Sequence, residues 1–392
     1  MKWSPQQDKA LLDFKQWWDA GKQGNVFHLF GYAGTGKTTL ALELAELIDG
    51  TVLYGAFTGK AASVMRGKGC TGASTIHSLI YNTQSRSKLR LVELEQELEK
   101  TTDTARRNEI EQEIIQERKN LKQPNFSLNE TSRVKDADLV ILDEVSMIDQ
   151  RVGNDLMSFK KPILVLGDPA QLPPVKGSGF FMTDKPEIML TEVHRTALDN
   201  PVLHLATRVR QGEGIELGDY GDSRVIKRSQ LQDGASLEYD QVIVGKNATR
   251  VGANDVIRKQ LGFSGVVPQI YDKIICLKNN RLKGIMNGML YRVLSVEDTG
   301  YEILMEIESE DGDSKVEVEA YPQPFKGEEV PRWSYEGLDE FTFGYAITCH
   351  KAQGSEWGNV FVVDESHIFR GDRNRWLYTA VTRAANKVMV VR

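Results

Sequence analysis

The sequence has no long apolar run, few cysteines and no excess of basic residues. None of its hydrophobic stretches approaches the length needed to cross a bilayer, and its first residues lack the apolar segment of a signal peptide. Its 3 cysteines stand far apart without metal-ligand spacing, which suits a reducing compartment. The formal net charge of −6 argues against a protein that coats nucleic acid by bulk charge. We therefore expect a cytoplasmic protein that does not enter a membrane.

The length and composition are those of a globular chain with more than one domain. With 392 residues, of which 40% are hydrophobic and 27% are charged, the chain is too long for one ordinary core. The charges are unevenly spread, because a basic stretch at residues 273–292 is followed by an acidic stretch at residues 306–319. A narrow basic channel is therefore compatible with the negative net charge, and composition alone leaves the partner open.

A glycine-rich stretch between a strand and a helix predicts a nucleotide site. Residues Gly31 to Thr38 fit the pattern of Gly, four residues, Gly-Lys-Ser/Thr. The apolar residues 26–30 before it are typical of a buried strand, and residues 38–47 after it have the periodicity of a helix. Such a loop presents backbone N–H groups to phosphate at a helix N-terminus. We expect Lys37 to reach the β- and γ-phosphates of ATP and Thr38 to bind Mg²⁺.

Two adjacent carboxylates end a later apolar strand. The strand at residues 137–142 is followed by Asp143 and Glu144, and neighbouring residues on a strand point to opposite faces. Asp143 is therefore predicted to hold Mg²⁺ while Glu144 polarises the attacking water. The strand at residues 162–168 leads into a proline-rich loop, in which Gln171 is a candidate sensor of the γ-phosphate.

Polar residues also follow the predicted strand at residues 50–58. Thr58 and Lys60 begin one helical segment, and Ser74 to His77 begin the next. Both segments fall at the expected carboxyl edge of a sheet, where open α/β sheets bind ligands. For each segment taken alone, capping of the following helix is an equally good interpretation.

The second half of the chain, from about residue 191, repeats the α/β pattern. Arg195 is a candidate phosphate ligand. Short alternating runs at residues 266–340 predict a small β-barrel inserted into this half. Near the end, Tyr378 and Thr382 share one face of a predicted helix, with Arg383 beside them. An arginine fixed on the second half would act as an arginine finger on a nucleotide held by the first half.

Residues 85–122 differ from the rest of the chain. They are rich in charge and carry two apolar stripes at helical spacing, one of leucines at 91, 94 and 98 and one of apolar residues at 110, 114 and 121. Polar residues 101–104 separate the two stripes. This pattern predicts an antiparallel helical hairpin inserted into the first half.

In order and spacing, these segments resemble the motifs of the superfamily 1 helicases, and most of all the branch that contains the RecD and Dda helicases. The match extends from Gln7 to Arg383. The resemblance implies that the nucleotide is bound by Gln7, which reads the adenine edge, and by Gly31, Gly34, Thr35, Gly36, Lys37, Thr38, Thr39 and Glu356. The implied hydrolytic residues are Lys37, Glu144, Gln171, Arg195 and Arg383, with Thr38 and Asp143 as Mg²⁺ ligands. The implied DNA contacts are Thr58, Lys60, His77, Thr348, His350 and Lys351. Asn247, Arg250, Asn254 and Arg258 also follow a spacing of this branch.

The sequence departs from the branch at two places. Phe57 stands where proline is common, and it either stacks on a base, worth about 1–3 kcal/mol, or packs into the core. The helical hairpin at residues 85–122 stands where the branch often has a short β-hairpin that splits the duplex. It either performs that role or holds a partner protein.

The resemblance also implies a fold and a domain organisation. We expect an α/β protein with two RecA-like P-loop domains. The first, residues 1–190, would contain the ATP site and an inserted helical hairpin at about residues 82–124. The second, residues 191–392, would contain an inserted SH3-like β-barrel at about residues 266–340.

The implied function is that of an ATP-dependent DNA helicase that moves 5′ to 3′ on single-stranded DNA and unwinds duplex junctions. It would act as a monomer on DNA, in replication, recombination or repair, with ATP and Mg²⁺. The polarity comes from the family and not from residue chemistry. The alternative is an ATP-switched adaptor or remodelling translocase that does not unwind and recruits a replication or recombination protein through residues 85–122. The residues do not discriminate DNA from RNA.

Overall fold

Three main sheets carry the residues singled out by the sequence. The computed structural model describes residues 3–22, 24–83, 89–101, 103–122, 126–174, 177–183, 185–192, 200–280, 283–310, 314–330 and 337–392. Within these ranges, no helix has both the length and the apolar character needed to span a bilayer. The described α-helices are α1 Pro5–Asp19, α2 Lys37–Glu46, α3 Gly59–Gly67, α4 Ile76–Ile80, α5 Leu89–Lys100, α6 Thr104–Lys122, α7 Gln150–Met157, α8 Pro201–Gln211, α9 Asn247–Gln260, α10 Cys349–Ala352 and α11 Arg373–Val381.

The described strands fall into four sheets. They are β1 Val26–Gly31, β2 Val52–Ala56, β3 Ser74–Thr75, β4 Tyr81–Thr83, β5 Phe126–Leu128, β6 Leu139–Asp143, β7 Ile163–Gly167, β8 Ile188–Leu190, β9 Gly218–Tyr220, β10 Ser223–Ile226, β11 Gln241–Val244, β12 Lys273–Cys276, β13 Leu290–Asp298, β14 Ile303–Ser309, β15 Lys315–Ala320, β16 Phe341–Phe343, β17 Ala346–Thr348, β18 Trp357–Val363 and β19 Ala384–Val391. Each strand predicted for the first α/β half has a counterpart within a few residues, in β1, β2, β6 and β7.

The first sheet contains six parallel strands in the order β3-β2-β6-β7-β1-β8. Its central strands are buried, with all five residues of β7 inaccessible, as expected where helices cover both faces. Because the strands are parallel, the residues that follow β1, β2, β6 and β7 emerge at one edge. The glycine-rich loop, Thr58, Asp143 and the loop with Gln171 therefore share that edge.

The second sheet has the order β17-β11-β18-β19-β10-β9, and only the β9–β10 pair is antiparallel. Its core includes the fully buried Trp376 and Tyr378 of α11. The parallel strands β11 and β17 end beside each other, so that Asn247 at the start of α9 and His350 in α10 emerge at one edge.

A five-stranded antiparallel sheet, ordered β15-β14-β13-β12-β16, lies in the chain between β11 and β17 of the second sheet. It occupies the region predicted to be β-rich, and β14 alternates buried and half-buried residues along its whole length. A buried ion pair joins α9 to its first strand, since Arg258 Nε and Nη2 lie 3.0 and 2.9 Å from the two carboxylate oxygens of Asp272. The hydroxyl of Tyr345, just after β16, donates to Asp272 Oδ1 at 2.9 Å.

Residues 77–136 form a compact unit of their own. This unit includes α5, α6 and the antiparallel pair of β4 and β5. The side chains of Leu94, Ile110 and Ile114 are buried, as the two apolar stripes predict. Arg106 at the start of α6 donates to Glu97 of α5 at 2.8 Å.

Candidate nucleotide site and strand channel

The glycine-rich loop takes a conformation that its glycines permit. Gly34 and Gly36 both have φ of 77°, in the left-handed region that other residues rarely adopt. At Gly31, an added Cβ would lie 2.6 Å from Thr35 Oγ1, so a side chain there would displace the loop. Thr35 in turn donates to the Tyr32 carbonyl at 2.8 Å. Gly31 and Thr35 therefore fix the conformation of the loop without lining the cavity described below.

Lys37 and Thr38 lie where the chemistry of a phosphate site requires them. Lys37 Nζ donates to the carbonyl oxygens of Gly31 at 2.7 Å and Tyr32 at 3.0 Å, which keeps the ammonium group over the loop. Thr38 Oγ1 donates to Asp143 Oδ2 at 3.0 Å, so the two predicted Mg²⁺ ligands are in contact. A hydroxyl and a carboxylate are hard oxygen ligands of the kind that Mg²⁺ prefers.

No cluster of three or more His, Cys, Asp or Glu side chains in the described part of the chain could hold a metal by itself. In nucleotide sites, Mg²⁺ is held by one or two side chains together with substrate phosphates and water, and Thr38 and Asp143 are two such side chains. The residues present therefore fit Mg²⁺ bound together with a nucleotide.

Glu144 and Arg383 face each other across the gap between the two α/β sheets. Arg383 Nη1 lies 3.9 Å from Glu144 Oε1, and Arg383 is only 6% exposed. Burial raises the pKa of Glu144, while Arg383 and Lys37 act in the opposite direction. The backbone N–H of Glu144 donates to Asp143 Oδ1 at 2.8 Å, and Glu144 has φ of 54°. This left-handed residue turns the chain so that the two adjacent carboxylates diverge.

A cavity of 420 Å³ opens between the two sheets around these groups, within the size range of small-ligand sites. Its lining includes residues that the sequence predicted, namely Lys37, Thr38, Thr39, Asp143, Glu144, Gln171 and Glu356. Arg383, just after α11, lines it as well. Gly34 and Gly36 also line it. Gln171 is 7% exposed, and its Oε1 has no hydrogen-bond partner among the described atoms. An oxygen of this kind is expected to receive a donor when a ligand or water enters.

Gln7 contacts the glycine-rich loop and does not line this cavity. Its Oε1 accepts from the N–H of Ser4 at 3.0 Å, and its Nε2 donates to the Thr35 carbonyl at 3.1 Å. The first of these bonds is half of a capping box at the start of α1. The predicted contact between Gln7 and adenine stays a prediction.

Asp168 and Tyr378 form a second link between the halves. The Tyr378 hydroxyl donates to Asp168 Oδ2 at 2.7 Å and accepts from the N–H of Ala33 at 2.8 Å. Burial raises the pKa of the Asp168 carboxyl, and it raises the pKa of Tyr378 well above its ordinary value. The sequence analysis did not assign Asp168 to the site, because an aspartate that ends a strand is also a common helix or turn cap.

A second cavity, of 590 Å³, contains four of the six predicted DNA contacts. Thr58, Thr348, His350 and Lys351 line it together with Phe57. Apolar side chains from both halves complete the wall, namely Met147, Pro174, Ile275, Leu277 and Ile347. Its polar side chains include Asp149, Asn247, Arg250, Asn287, Thr342 and Gln353. We call this cavity the strand channel.

The cations of the strand channel are partly desolvated. Burial lowers the pKa of Arg250, His350 and Lys351. Lys351 Nζ donates to Asn287 Oδ1 at 2.6 Å, which points its ammonium group toward the loop before β13. Desolvated cations in a groove gain more from a nearby phosphate than cations in water do.

The other predicted contacts lie elsewhere. Lys60 is on the first turn of α3 and is not among the side chains that line the strand channel. His77 belongs to the unit of residues 77–136, where its ring centroid is 5.7 Å from that of Tyr81. Arg195 lies outside the described residues. The Thr58 hydroxyl accepts from the N–H of Ala61 at 3.1 Å, so it caps α3 as well as lining the channel.

Sequence reasoning missed most of the apolar wall of the channel and several residues of the nucleotide cavity. Met147 and Leu277 are typical core residues by type, and Asn200 and Leu203, which line the nucleotide cavity, stand in no motif. Asn247 and Arg250 carried a signal through their spacing on α9, and Phe57 had been a candidate for stacking on a base. The remaining wall residues become visible when the two sheets are placed side by side.

Comparison with protein families gives two matches. The sequence model described as AAA domain matches residues 6–230, which is more than half of the chain, and the model described as UvrD-like helicase C-terminal domain matches residues 343–391. Among curated proteins, the ATP-dependent RecD2 DNA helicase of Deinococcus radiodurans is 28% identical over 280 residues. The matched stretch covers 64% of this chain but only 36% of that protein, so the chain corresponds to about a third of its length.

Two solved structures illustrate the fold. Bacteroides Pif1 bound to single-stranded DNA superposes with a TM-score of 0.57 at 18% identity, over 99% of this chain and 92% of that one. The Pif1 helicase from Candida albicans superposes with a TM-score of 0.53 at 19% identity, over 100% of this chain and 94% of that one. At these identities the likeness establishes the two-domain architecture of such helicases and not a shared substrate.

Proposed function

This chain belongs to the AAA domain family, among the superfamily 1 helicases of the RecD/Pif1-like type, and we propose that it is an ATP-driven DNA helicase. In this proposal it moves 5′ to 3′ on single-stranded DNA and unwinds duplex at junctions. The polarity rests on the likeness to the RecD and Pif1 helicases. The activity rests on the geometry of the two cavities.

The observation that carries the proposal is that both cavities lie between the same two sheets. The nucleotide cavity takes Lys37 from the first half and Arg383 from the second, and the strand channel takes Thr58 from the first and His350 from the second. Any change in the gap at the nucleotide therefore changes the gap along the strand. Coupling of this kind is what a translocating motor requires, since ligand binding does work only through differential contacts in two states.

We assign the chemistry of hydrolysis to residues of the nucleotide cavity. Water attacks the γ-phosphorus while the bond to the bridging oxygen breaks, which yields ADP and phosphate. Glu144 accepts a hydrogen bond from the water and orients it, and Lys37 and Arg383 offset negative charge that develops on the γ-phosphoryl oxygens. Gln171 and Arg195 contact the same group, and Gln7 and Glu356 bind elsewhere on the nucleotide. Thr38 and Asp143 would hold Mg²⁺, which would supply charge neutralisation at the phosphates.

We assign the grip on the nucleic acid to the strand channel. Arg250 and Lys351 approach the phosphates, and the apolar wall offers faces on which bases stack. We also assign Lys60 to a DNA contact, and the DNA contact of His77 stays a prediction from the sequence. The domains of this proposal are residues 1–190 and 191–392. The helical segment at about residues 82–124 is an inserted hairpin, and the five-stranded sheet at about residues 266–340 is an inserted SH3-like barrel.

The deciding experiment measures ATP hydrolysis with and without single-stranded DNA, then unwinding of duplexes with either a 5′ or a 3′ single-stranded tail. Strong stimulation with unwinding from the 5′ tail alone is expected. Stimulation without unwinding from either tail would instead support an ATP-switched adaptor or translocase. A matched RNA strand tests the choice of nucleic acid.

Two variants test the assignment of the nucleotide cavity. Lys37→Ala is expected to lose hydrolysis by at least about a hundredfold, the usual cost of removing one preorganised charge-stabilising donor. Glu144→Gln is expected to bind ATP and DNA normally and to turn over very slowly, because the amide orients water poorly. Lys9→Ala, at an exposed lysine that pairs with Asp13 on α1, is the control. Normal turnover in Lys37→Ala or Glu144→Gln would refute the assignment.

A further inference from the structure

The hydroxyl of Tyr378 joins the two halves beside the nucleotide cavity. Tyr378 lies on α11 of the second half and is 2% exposed. Its hydroxyl accepts from the Ala33 N–H at 2.8 Å and donates to Asp168 Oδ2 at 2.7 Å. Ala33 is in the loop after β1, and Asp168 is in the loop after β7. One oxygen atom of the second half therefore contacts two loops that follow strands of the first sheet.

Neighbouring side chains hold the second of these loops at its far end. The Leu172 N–H donates to Thr379 Oγ1 at 2.9 Å, and Gln353 Nε2 donates to the Leu172 carbonyl at 2.9 Å. The loop is thus held by the second half both at Asp168 and at Leu172. Gln171, whose buried Oε1 is unpaired among the described atoms, lies between the two points. Movement of α11 must therefore move Gln171.

Arg383 depends on the same turn of α11. Its Nε donates to the carbonyl of Thr379 at 3.1 Å, and its Nη1 donates to the Ser355 carbonyl at 3.0 Å. Thr379 directly follows Tyr378, so a shift of this turn of α11 also shifts one of the two carbonyl groups that hold the Arg383 guanidinium. The residues on both sides of the reacting phosphate share one anchor.

The Tyr378 hydroxyl bonds to buried polar groups, and removing it leaves those groups without a hydrogen-bond partner. Asp168 is 3% exposed, and its other oxygen accepts from the Ala170 N–H at 2.9 Å. A buried carboxylate depends on its donors, since an unpaired buried charge costs much more than a neutral contact contributes. An apolar ring would fill the space without satisfying Asp168 or the Ala33 N–H. The hydroxyl is therefore the functional part of this side chain.

We propose that Tyr378 is a positioning residue, whose hydroxyl holds the glycine-rich loop and the Gln171 loop in register with Arg383. The inference rests on the proposed ATP hydrolysis. Tyr378 touches neither ATP nor water in this assignment. It acts through Arg383 and Gln171, and it transmits a change in the glycine-rich loop to the second sheet.

Tyr378→Phe tests the hydroxyl while keeping the ring. DNA-stimulated kcat is expected to fall about tenfold, the size of one charge-assisted hydrogen bond converted to a rate. KM for ATP should change much less, because the nucleotide contacts stay in place. Tyr220→Phe, which removes a hydroxyl bonded to the Glu216 carbonyl elsewhere in the second half, is the control. An unchanged kcat in Tyr378→Phe would overturn the inference.

A mutant cycle separates positioning from mere stabilisation. If the hydroxyl acts through Arg383 and Gln171, then Tyr378→Phe added to a variant that carries both Arg383→Ala and Gln171→Ala should reduce kcat little further. Losses that multiply, or a fall in thermal stability that accounts for the lost activity, would assign Tyr378 a structural role only.

One measurement needs no variant. The Ala33 amide of the wild-type protein should exchange its hydrogen slowly without nucleotide, since it is bonded to a buried phenol. Fast exchange would overturn the contact even if Tyr378→Phe fails to fold. If the wild-type protein hydrolyses no ATP in the presence of DNA, the proposed function fails, whereas the exchange result still decides whether the bond exists.

Discussion

Two cavities span the same pair of sheets, yet their walls differ in chemistry. The nucleotide cavity is lined by charges of both signs, with Lys37 and Arg383 close to Asp143 and Glu144. The strand channel combines apolar side chains such as Phe57 with neutral polar side chains and a few cations. The first wall suits a compact ligand of high charge, whereas the second suits a chain of flat bases joined by single charges.

The difference shows how a chain with a net charge of −6 can still hold a polyanion. In the nucleotide cavity, Arg383 and Lys37 oppose the effect of burial on the pKa of Glu144, so cations and carboxylates there lie close enough to interact. In the channel, burial lowers the pKa of Arg250 and Lys351. An anion that binds beside these two cations would stabilise their charged forms. Local desolvation, and not bulk charge, is what favours phosphate there.

Among the substitutions that test this contrast, Arg383→Ala is expected to have the largest effect. DNA-stimulated kcat should fall by about 10³-fold, the usual contribution of an arginine finger, while the affinity for single-stranded DNA at fixed salt stays unchanged. Steady-state ATPase assays and fluorescence anisotropy with a labelled strand measure the two quantities. Arg383→Lys should recover only part of the rate, because an ammonium group lacks the planar fork of the guanidinium.

The matched control is Arg375→Ala. Arg375 is an exposed arginine on the same helix, and it pairs with Asp372 at 3.2 Å. It should behave as wild type in both assays. A loss of DNA affinity in Arg383→Ala equal to its loss of kcat would mean that the two cavities are not chemically separate.

Phe57→Ala is expected to change DNA affinity and leave kcat unchanged, the reverse of Arg383→Ala. If Phe57 stacks on a base, the strand should bind about 1–3 kcal/mol more weakly, while kcat at saturating DNA stays unchanged. Titration of a labelled strand gives the affinity, and urea unfolding gives the stability. Tyr301→Ala, at a residue that is 87% exposed and lines neither cavity, is the control.

The same pair of measurements settles the role of Phe57. A loss of about 3–5 kcal/mol in the free energy of unfolding, with normal DNA affinity, would identify it as a core residue instead. Because Phe57 lines the channel and is only half-buried, we expect the loss in binding to exceed the loss in stability.

The two cavities also differ in how far the sequence could predict them. Phosphate chemistry restricts residue types so strongly that Lys37, Asp143 and Glu144 were found from spacing alone, and the structure brings all three together. Stacking on bases is less demanding, because any flat or apolar surface serves. Met147 and Leu277 therefore looked like core residues, and their place in the channel emerged only from the packing of the two halves.

Long-range contacts were the other limit of sequence reasoning. Tyr378 and Asp168 are 210 residues apart, and nothing local to either one indicates that a single hydrogen bond joins them. The fold class was easier, since the alternation of apolar strands and amphipathic helices predicts parallel sheets whose carboxyl edges hold the motifs. The region after α9 was predicted to be β-rich from its alternation, but the Arg258–Asp272 pair that joins it to α9 was not.

The smallest expected effect is a difference in pH dependence between the cavities, and it follows from His350. Burial lowers the pKa of His350, which lies in the channel with Arg250, Lys351 and Asp149 and whose ring centroid is 5.8 Å from that of Phe369. The unfolded histidine titrates near about 6.5. Below that value the unfolded state binds more protons than the DNA-free folded state, so stability should fall as the pH falls toward the lowered pKa.

The affinity for DNA should depend on pH in the opposite direction to the folding stability. Phosphate beside His350 favours the imidazolium, so binding takes up a proton. The affinity for DNA should therefore rise as the pH is lowered, by about tenfold at most for each unit of pKa change.

Hydrolysis should respond to pH in the opposite direction, since the raised pKa of Glu144 means that the carboxylate is lost as the pH falls. Calorimetric titrations in two buffers of different ionisation enthalpy measure the proton uptake, which His350→Gln should abolish and His204→Gln, a change on α8, should leave intact. Parallel pH profiles for affinity and kcat would mean that one shared group controls both cavities, and the distinction between them would fail.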